Sequence, residues 1–146
     1  MEAEENLVEQ KPKQKNERMH NFTFVFLFVV LVLADQLTKL FAKNIFRNQN
    51  FAFSLPLPIW LMYVIYFLVL AGITAYVKKN SGSLSLRQSL AWVCIFAGAL
   101  SNVIERMSLG YVRDWVYIWT GVFNLADGFI ILGILILMFG QHSAKS

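Results

Sequence analysis

The sequence predicts an all-α integral membrane protein with four transmembrane helices and a small extended, β-like element. Of the 146 residues, 57% are hydrophobic and 15% are aromatic. Only 15% are charged, whereas a soluble domain carries about 25%. The chain also contains four apolar segments, each close to the ~20 residues that a helix needs to cross ~30 Å of hydrocarbon. These observations place one domain of this length in a lipid bilayer.

The apolar segments define the domain organisation. They are predicted at residues 22–42, 58–77, 89–106 and 122–140, inside a membrane domain of residues 21–141. Residues 1–20 form a polar tail whose mixed charge and Pro12 favour a disordered or loosely helical state. Residues 142–146 form a short C-terminal tail. The first apolar segment is too long for a signal peptide and lacks a small-residue cleavage site.

The third segment is rich in small residues, which let transmembrane backbones approach closely. They are Ala91, Ala97, Gly98, Ala99 and Ser101. We therefore expect this helix to pack inside the bundle. The single cysteine, Cys94, lies among apolar residues of the same segment, where packing is the favoured interpretation over a reactive thiol.

The distribution of basic residues predicts the orientation in the membrane. Of the 13 lysines and arginines, eight lie in the N-terminal tail, in the loop between segments two and three, or in the C-terminal tail. Five lie on or near the other side: Lys39, Lys43, Arg47, Arg106 and Arg113. We expect both termini to be cytoplasmic. The net charge of +4 thus indicates topology and not nucleic-acid binding.

The connection before segment four contains the run YVRDWVYIW. Its β-branched and aromatic residues favour an extended backbone, on which Val112 and Asp114 share one face. Trp and Tyr also favour the membrane–water boundary. An aromatic belt alone, however, does not explain an aspartate in the middle of the run.

Between Asn21 and Gly140 the acidic residues are Asp35, Glu105, Asp114 and Asp127. An ionisable group within membrane-spanning sequence is costly unless it is paired or solvated, so each is a candidate functional residue. Asp114 and Asp127 bracket the aromatic run and could meet at one membrane surface. Two carboxylates that share one proton can activate a water for peptide hydrolysis, as in aspartic proteases.

The position of Asp127 matters for this hypothesis. We expect it at about the sixth residue of segment four, roughly 8 Å below the start of that helix. The alternative to a shared proton is that each aspartate pairs with a nearby base, Arg113 or Arg106.

Polar side chains recur one helical turn apart on three segments. The pairs are Asp35 with Lys39, Asn102 with Arg106, and Asn124 with Asp127. Arg106 is suited to hold carbonyl groups of an extended peptide or a lipid head group. The amide of Asn124 could orient the Asp127 carboxylate. Bonding within the bundle is the alternative for every pair, and it is favoured for Asp35 and Lys39.

Five blocks of sequence, in order, resemble the lipoprotein signal peptidases, the bacterial signal peptidase II family. They are DQLTK (35–39), NQNFAFS (48–54), AGALSNVIER (97–106), GYVRDW (110–115) and FNLADG (123–128). The resemblance extends over residues from about 22 to 140. It implies a four-helix inner-membrane aspartic endopeptidase with an outward-facing site. Such enzymes cut the signal peptide from prolipoproteins just before a cysteine that carries a diacylglyceryl group.

The resemblance also assigns roles to residues. It implies that Asp114 and Asp127 are the catalytic pair. The residues that it implies as supports of the pair or as substrate contacts are Asp35, Lys39, Asn48, Asn102, Arg106 and Asn124. It implies lipid-modified preprolipoproteins and membrane lipid as partners, and no nucleic acid.

Five positions depart from the family pattern. Glu105 stands where the family usually has Asp, and Gly128 follows the second aspartate in place of Ser. The other three stand where the family has Gly: Asn50, Ala97 and Ser101. None of them is an aspartate of the pair, so they bear on the efficiency of catalysis more than on membership of the family.

Two other classes of function stay open at this stage. A small ion- or proton-translocating protein would also carry intramembrane acids, although spread through the bilayer. A catalytically degenerate family member would act as a scaffold. His20 and His142 are far from any acidic cluster in sequence, so no metal site and no cofactor is expected. We expect a monomer.

Overall fold

The computed structural model describes residues 2–49, 57–80, 83–119 and 121–140; for residues 2–21 and 140 it describes the backbone only. The structure is mostly helical. Its elements are α1 (Glu2–Phe41), β1 (Phe46–Asn48), α2 (Ile59–Asn80), α3 (Leu86–Leu109), β2 (Val112–Asp114), β3 (Val116–Ile118), β4 (Gly121–Phe123) and α4 (Leu125–Gly140). The C-terminal tail 142–146 and Asn50 lie outside the described residues.

Among the described residues, three helices are long and apolar enough to cross a membrane: Phe22–Phe41 within α1, Ile59–Asn80 and Leu86–Leu109. Helix α1 begins at Glu2, so the backbone of the polar tail is helical in the structure and continues into the first span. The fourth apolar helix is shorter. It has 16 residues, which correspond to about 24 Å.

Helix α4 starts later than the sequence prediction of residue 122. Residues Gly121–Phe123 instead form β4, which pairs with β3. The first two residues of the apolar run that predicted the helix, Val122 and Phe123, therefore belong to β4. The polar residue Asn124 separates this strand from α4. Hydropathy does not distinguish these two conformations, which is why the predicted start was wrong.

Helix α3 is the centre of the bundle, as its small residues predicted. Four of the five small residues named above are buried, namely Ala91, Ala97, Gly98 and Ser101. Cys94 is buried as well. A Cβ atom on Gly98 would lie 2.3 Å from the Ala126 carbonyl oxygen, and one on Gly133 would lie 2.5 Å from the Ala91 carbonyl oxygen. Glycine at both positions allows α3 and α4 to pack backbone to backbone.

The two ends of α3 are defined by local signals. Ser85 caps the N-terminus in a capping box with Gln88. Gly110 ends the helix in the left-handed conformation, with φ of 79°, and its N–H donates to the Arg106 carbonyl. Since glycine adopts this conformation without strain, the chain reverses here and enters β2.

In the described part of the chain, the strands form two antiparallel two-stranded sheets. Strand β1 pairs with β2, with Phe46 opposite Asp114 and Arg47 opposite Arg113. Strand β3 pairs with β4, and the N–H of Trp115 donates to the Phe123 carbonyl at 2.9 Å. The expected extended run is thus confirmed as β2 and β3. In β2, Val112 and Asp114 are buried.

Candidate active site

Asp114 is the last residue of β2 and is 1% exposed. Its carboxylate accepts two side-chain amide hydrogen bonds. Asn48, at the end of β1, donates to Oδ2 at 2.8 Å, and Asn124 donates to Oδ1 at 2.7 Å. The β1–β2 pairing therefore brings together two residues that are 66 positions apart in sequence.

Asp127 is the third residue of α4, in the first turn of that helix. The prediction that it is the sixth residue was wrong, because the helix begins at Leu125. Its Oδ1 accepts from Asn102 Nδ2 at 2.9 Å, and its Oδ2 accepts from the backbone N–H of Asn124 at 3.1 Å. Both carboxylate oxygens of Asp127 are thus fixed by donors from α3 and from the start of α4.

Asn124 contacts both aspartates. Its side-chain amide donates to Asp114, and its backbone N–H donates to Asp127. The same amide nitrogen donates to Asn102 Oδ1 at 3.1 Å. Because Asn124 donates a hydrogen bond to each carboxylate, Asp114 and Asp127 belong to a single polar site. Asn124 itself is only 3% exposed.

The environment of Asp114 changes its titration. Burial raises the pKa of the Asp114 carboxyl above the ordinary aspartate value, because desolvation disfavours the charged form. The hydrogen bonds from Asn48 and Asn124 lower the pKa, and the negative charge of Asp127 raises it. Asp114 therefore titrates under the influence of Asp127.

Asp35 and Lys39 of α1 are fully buried behind this site. Lys39 Nζ lies 2.7 Å from Asp35 Oδ2 and donates to Asn102 Oδ1 at 3.0 Å. Asp35 Oδ1 accepts from the backbone N–H of Ala126 at 2.9 Å. Helix α1 thus holds the first turn of α4 and the side chain of Asn102, and both of these groups contact or carry Asp127.

The two arginines differ in their surroundings. Arg113 pairs with Glu105, in contacts through its Nε and its backbone N–H, and not with an aspartate of the pair. Arg106 is buried on α3, and its guanidinium lies 5.4 Å from the centre of the Tyr66 ring. Its backbone carbonyl accepts from the Tyr63 hydroxyl at 2.9 Å. The alternative in which Arg113 neutralises one of the aspartates is therefore wrong.

Four of the five departures from the family pattern lie within the described residues, and Ala97 among them is buried in α3. Glu105 reaches Lys39 Nζ at 2.7 Å in addition to Arg113. Ser101 donates to Asp35 at 2.6 Å, a bond that glycine lacks. Gly128 has open space where a Cβ atom would stand.

The described part of the chain has no group of three or more His, Cys, Asp or Glu side chains placed to hold a metal ion.

Sequence reasoning did not find Gln36 as a member of the polar network, nor the contact between Arg113 and Glu105. Gln36 donates to Ser101 at 2.8 Å and accepts from Arg113 at 3.3 Å. A signal for Gln36 was present, since it is an uncharged polar residue next to Asp35 inside an apolar segment. The contact between Arg113 and Glu105 has no comparable signal, because it depends on the chain reversal at Gly110.

A comparison with protein families gives a match over most of the chain. Residues 27–142 match the model of the family described as signal peptidase (SPase) II. The chain belongs to the signal peptidase II family. The resemblance read from the five sequence blocks is thereby confirmed.

Relatives named lipoprotein signal peptidase are similar in sequence to this member of the signal peptidase II family over most of its length. One from Streptococcus agalactiae serotype Ia is 34% identical, over 88% of this chain and 97% of the relative. One from Fusobacterium nucleatum subsp. nucleatum is 27% identical, over 79% of this chain and 83% of the relative.

Solved structures share the fold. A structure described as a bacterial membrane enzyme superposes with a TM-score of 0.70, at 22% identity, over 85% of this chain and 92% of that chain. A second, described in the same words, also has a TM-score of 0.70 and covers 84% of this chain.

Proposed function

We propose that this protein is a membrane-embedded aspartic endopeptidase that removes signal peptides from diacylglyceryl-modified prolipoproteins. The cut falls just before the lipid-modified cysteine. The observation that supports this proposal best is the contact of Asn124 with both Asp114 and Asp127. Membership of the signal peptidase II family supports the substrate class.

The chemistry requires the two carboxylates to share one proton. The ionised carboxylate removes a proton from a water, and the oxygen of that water bonds to the scissile carbonyl carbon. The protonated carboxylic acid donates to the carbonyl oxygen, which gives a tetrahedral intermediate. Collapse of the intermediate breaks the C–N bond, and the amine leaves with a proton from the pair. The influence of Asp127 on the pKa of Asp114 supports this joint titration.

The surrounding amides support the pair. The side-chain nitrogens of Asn48, Asn102 and Asn124 all donate to one of the two carboxylates. Such donors hold the carboxylates in a fixed geometry, so little reorganisation is needed during the reaction. We assign Asn102 and Asn124 to support of the pair. Asn48 and Arg106 are in addition suited to contact the backbone or lipid of a substrate.

The proposed location is the bacterial cytoplasmic membrane, with both termini in the cytoplasm and the site facing the exterior. The excess of lysine and arginine in the tails and in the loop between α2 and α3 supports this orientation. The aspartates lie on β2 and in the first turn of α4, so they belong to one end of the bundle. We propose that the protein acts as a monomer, since both aspartates and the three asparagine amides that contact them come from one chain.

The proposal is tested with purified protein in detergent and two matched peptides. One carries a diacylglyceryl group on the cysteine, and the other has the same sequence without lipid. We expect release of the signal peptide from the first and none from the second. Cleavage should also persist with a chelator, because the mechanism uses carboxylates alone. Equal cleavage of both peptides would contradict the proposed substrate class.

A further inference from the structure

Six polar side chains from α1, α3 and β2 form a closed ring of contacts beside the aspartates. The ring consists of Asp35, Ser101, Gln36, Arg113, Glu105 and Lys39, each in contact with the next and the last with the first. It connects three elements that are separated in sequence. Five of its members lie on the two helices, and Arg113 alone comes from the strand that carries Asp114.

Arg113 uses several of its donors at once. Its Nε and its backbone N–H donate to the two oxygens of Glu105, and Nη2 donates to Gln36 Oε1 at 3.3 Å. The planar fork of a guanidinium suits this arrangement, whereas a lysine ammonium does not. The side chain is 18% exposed, and that of Glu105 is 2% exposed. Arg113 therefore attaches β2 to both α1 and α3.

The strand register makes this placement of an arginine unfavourable unless another interaction offsets it. Arg113 lies directly opposite Arg47 in the β1–β2 ladder, and like charges in that position repel. The Arg47 guanidinium lies 5.2 Å from the centre of the Tyr111 ring, while Arg113 pairs with Glu105. The contact with the buried glutamate accounts for an arginine at residue 113.

The charges of the ring balance only when Arg113 is counted. Asp35 and Glu105 carry two negative charges, and Lys39, which contacts both, carries one positive charge. Arg113 supplies the second positive charge. An uncompensated charge in a buried cluster is strongly unfavourable, so loss of Arg113 would leave a net negative charge beside Asp114 and Asp127.

The ring contacts the groups that hold both aspartates. On one side, Arg113 immediately precedes Asp114 in β2. On the other side, Lys39 donates to Asn102, whose amide nitrogen donates to Asp127. A change at Arg113 is thereby transmitted to Asp114 through the strand, and to Asp127 through Lys39 and Asn102.

We propose that Arg113 is a positioning residue for the peptidase reaction: through Glu105 and Gln36 it fixes strand β2 beside α3 and keeps the buried ring electrically neutral. This inference rests on the proposed function, which it deepens. It adds a residue outside the catalytic pair and its direct supports.

The pH dependence of the reaction distinguishes this role from a purely structural one. The ionisable side chains that the packed elements contribute to this network and its surroundings are Asp35 and Lys39 from α1, Tyr63 and Tyr66 from α2, Glu105 and Arg106 from α3, Asp114 from β2, and Asp127 from α4. Removal of Arg113 makes this group more negative and favours the protonated aspartates. Removal of the Glu105 charge has the opposite effect. The pH–rate profile should therefore move in opposite directions in the two variants.

The experiment compares Arg113→Met, Glu105→Gln, the double variant and Arg113→Lys in cleavage of the lipid-modified peptide. Arg47→Met is the matched control, since Arg47 is the cross-strand neighbour of Arg113 and lies outside the ring. We expect Arg113→Met to lower kcat by about tenfold or more with little change in KM. Both limbs of its pH–rate profile should shift to higher pH, by on the order of one pH unit.

The other variants separate charge from attachment of the strand. Glu105→Gln should shift the pH–rate profile to lower pH, and the double variant should return it to the wild-type position. Arg113→Lys should keep the wild-type profile but recover kcat only in part, because an ammonium lacks the fork that reaches both Glu105 and Gln36. Arg47→Met should stay within about twofold of wild type in kcat and leave the profile unchanged.

A second measurement does not depend on activity. Titration of ¹³C-labelled aspartate by NMR in detergent should show a higher pKa of Asp114 in Arg113→Met than in wild type. A wild-type protein that leaves the lipid-modified peptide intact would defeat the proposed function, and this titration would still decide whether Arg113 acts on Asp114. An unchanged titration, or equal losses of kcat in Arg113→Met and Arg47→Met, would overturn the inference.

Discussion

Asn124 and Asp127 cap the N-terminus of helix α4 reciprocally. The backbone N–H of Asn124 donates to Asp127 Oδ2 at 3.1 Å, and the backbone N–H of Asp127 donates to Asn124 Oδ1 at 2.9 Å. This is the geometry of a capping box, with Asn at the N-cap and Asp at the third helical position. The motif that begins the helix therefore also fixes the carboxylate proposed to be catalytic.

The double role of Asn124 gives the first prediction. In Asn124→Ser the hydroxyl can still cap the helix, because serine is about as good an N-cap as asparagine. The amide that donates to Asp114 and to Asn102 is lost. We expect kcat to fall by about tenfold or more, with a loss of about 1–2 kcal/mol in the free energy of unfolding.

The measurements are peptide cleavage and thermal unfolding in detergent. Asn44→Ser is a suitable control, since Asn44 is an exposed asparagine between α1 and β1. Asn124→Ala, which also lacks the cap, should be less stable than Asn124→Ser by about 1 kcal/mol. Wild-type kcat in Asn124→Ser would show that the contact with Asp114 has no role in the reaction.

The second prediction concerns the aspartates themselves. Asp114→Asn and Asp127→Asn keep the size of each side chain and remove its acid–base function. Each variant should lose at least about 100-fold in kcat while it still binds the lipid-modified substrate. Turnover and equilibrium binding of a fluorescent substrate peptide measure the two effects separately. A scaffold function would predict full biological activity in both variants.

Much of the fold could be predicted from local sequence. The apolar runs predicted four spanning helices. Among the described residues, three helices are long enough to span a membrane and the fourth apolar helix is shorter. The small residues of α3 predicted its central place. The β-branched run before α4 predicted strands β2 and β3. The start of α4 could not be obtained from hydropathy, because Val122 and Phe123 are as apolar as the helix that follows. The capping pair Asn124 and Asp127 marks that boundary more accurately than the apolar run.

The site could be predicted only where its contacts are local. The spacing of Asn124 and Asp127 indicates their contact directly. The bond from Asn48 to Asp114 depends on the pairing of β1 with β2, and the pairing of Arg113 with Glu105 depends on the reversal at Gly110. These contacts join residues through tertiary geometry, which a single sequence does not specify. Recognition of the family supplied Asn48, but not the partner of Arg113.

The third prediction follows from the raised pKa of Asp114. In the unfolded chain an aspartate titrates near pH 3.9, so between this value and the raised pKa the folded state binds the proton more tightly. The free energy of unfolding contributed by Asp114 should therefore fall as the pH rises through this interval.

Thermal unfolding of wild type and Asp114→Asn between about pH 4 and about pH 8 checks this sign. The free energy of unfolding of Asp114→Asn minus that of wild type should increase as the pH rises, because asparagine does not ionise. Titrating groups that do not interact with Asp114 are common to both proteins and cancel in the difference. A difference that is independent of pH, or that shrinks with rising pH, would contradict the expected effect of burial.

The fourth prediction concerns the close approach of α3 and α4. In Gly98→Ala the new Cβ atom would lie 2.3 Å from the Ala126 carbonyl oxygen and 2.9 Å from Ile130 Cγ1. The first turn of α4 must then move away from α3, and this movement lengthens the bond between Asn102 and Asp127. We expect overpacking to lower the free energy of unfolding by about 1–3 kcal/mol, and kcat to fall with it.

Gly72→Ala provides the matched control, since a Cβ atom on Gly72 would meet nothing within 4 Å. It should leave kcat unchanged and preserve or raise the stability, because alanine is a better helix former than glycine. Cleavage kinetics and thermal unfolding in detergent measure both variants under the same conditions. If Gly98→Ala were as active and as stable as Gly72→Ala, the backbone contact between α3 and α4 could not be what holds Asp127 against Asn102.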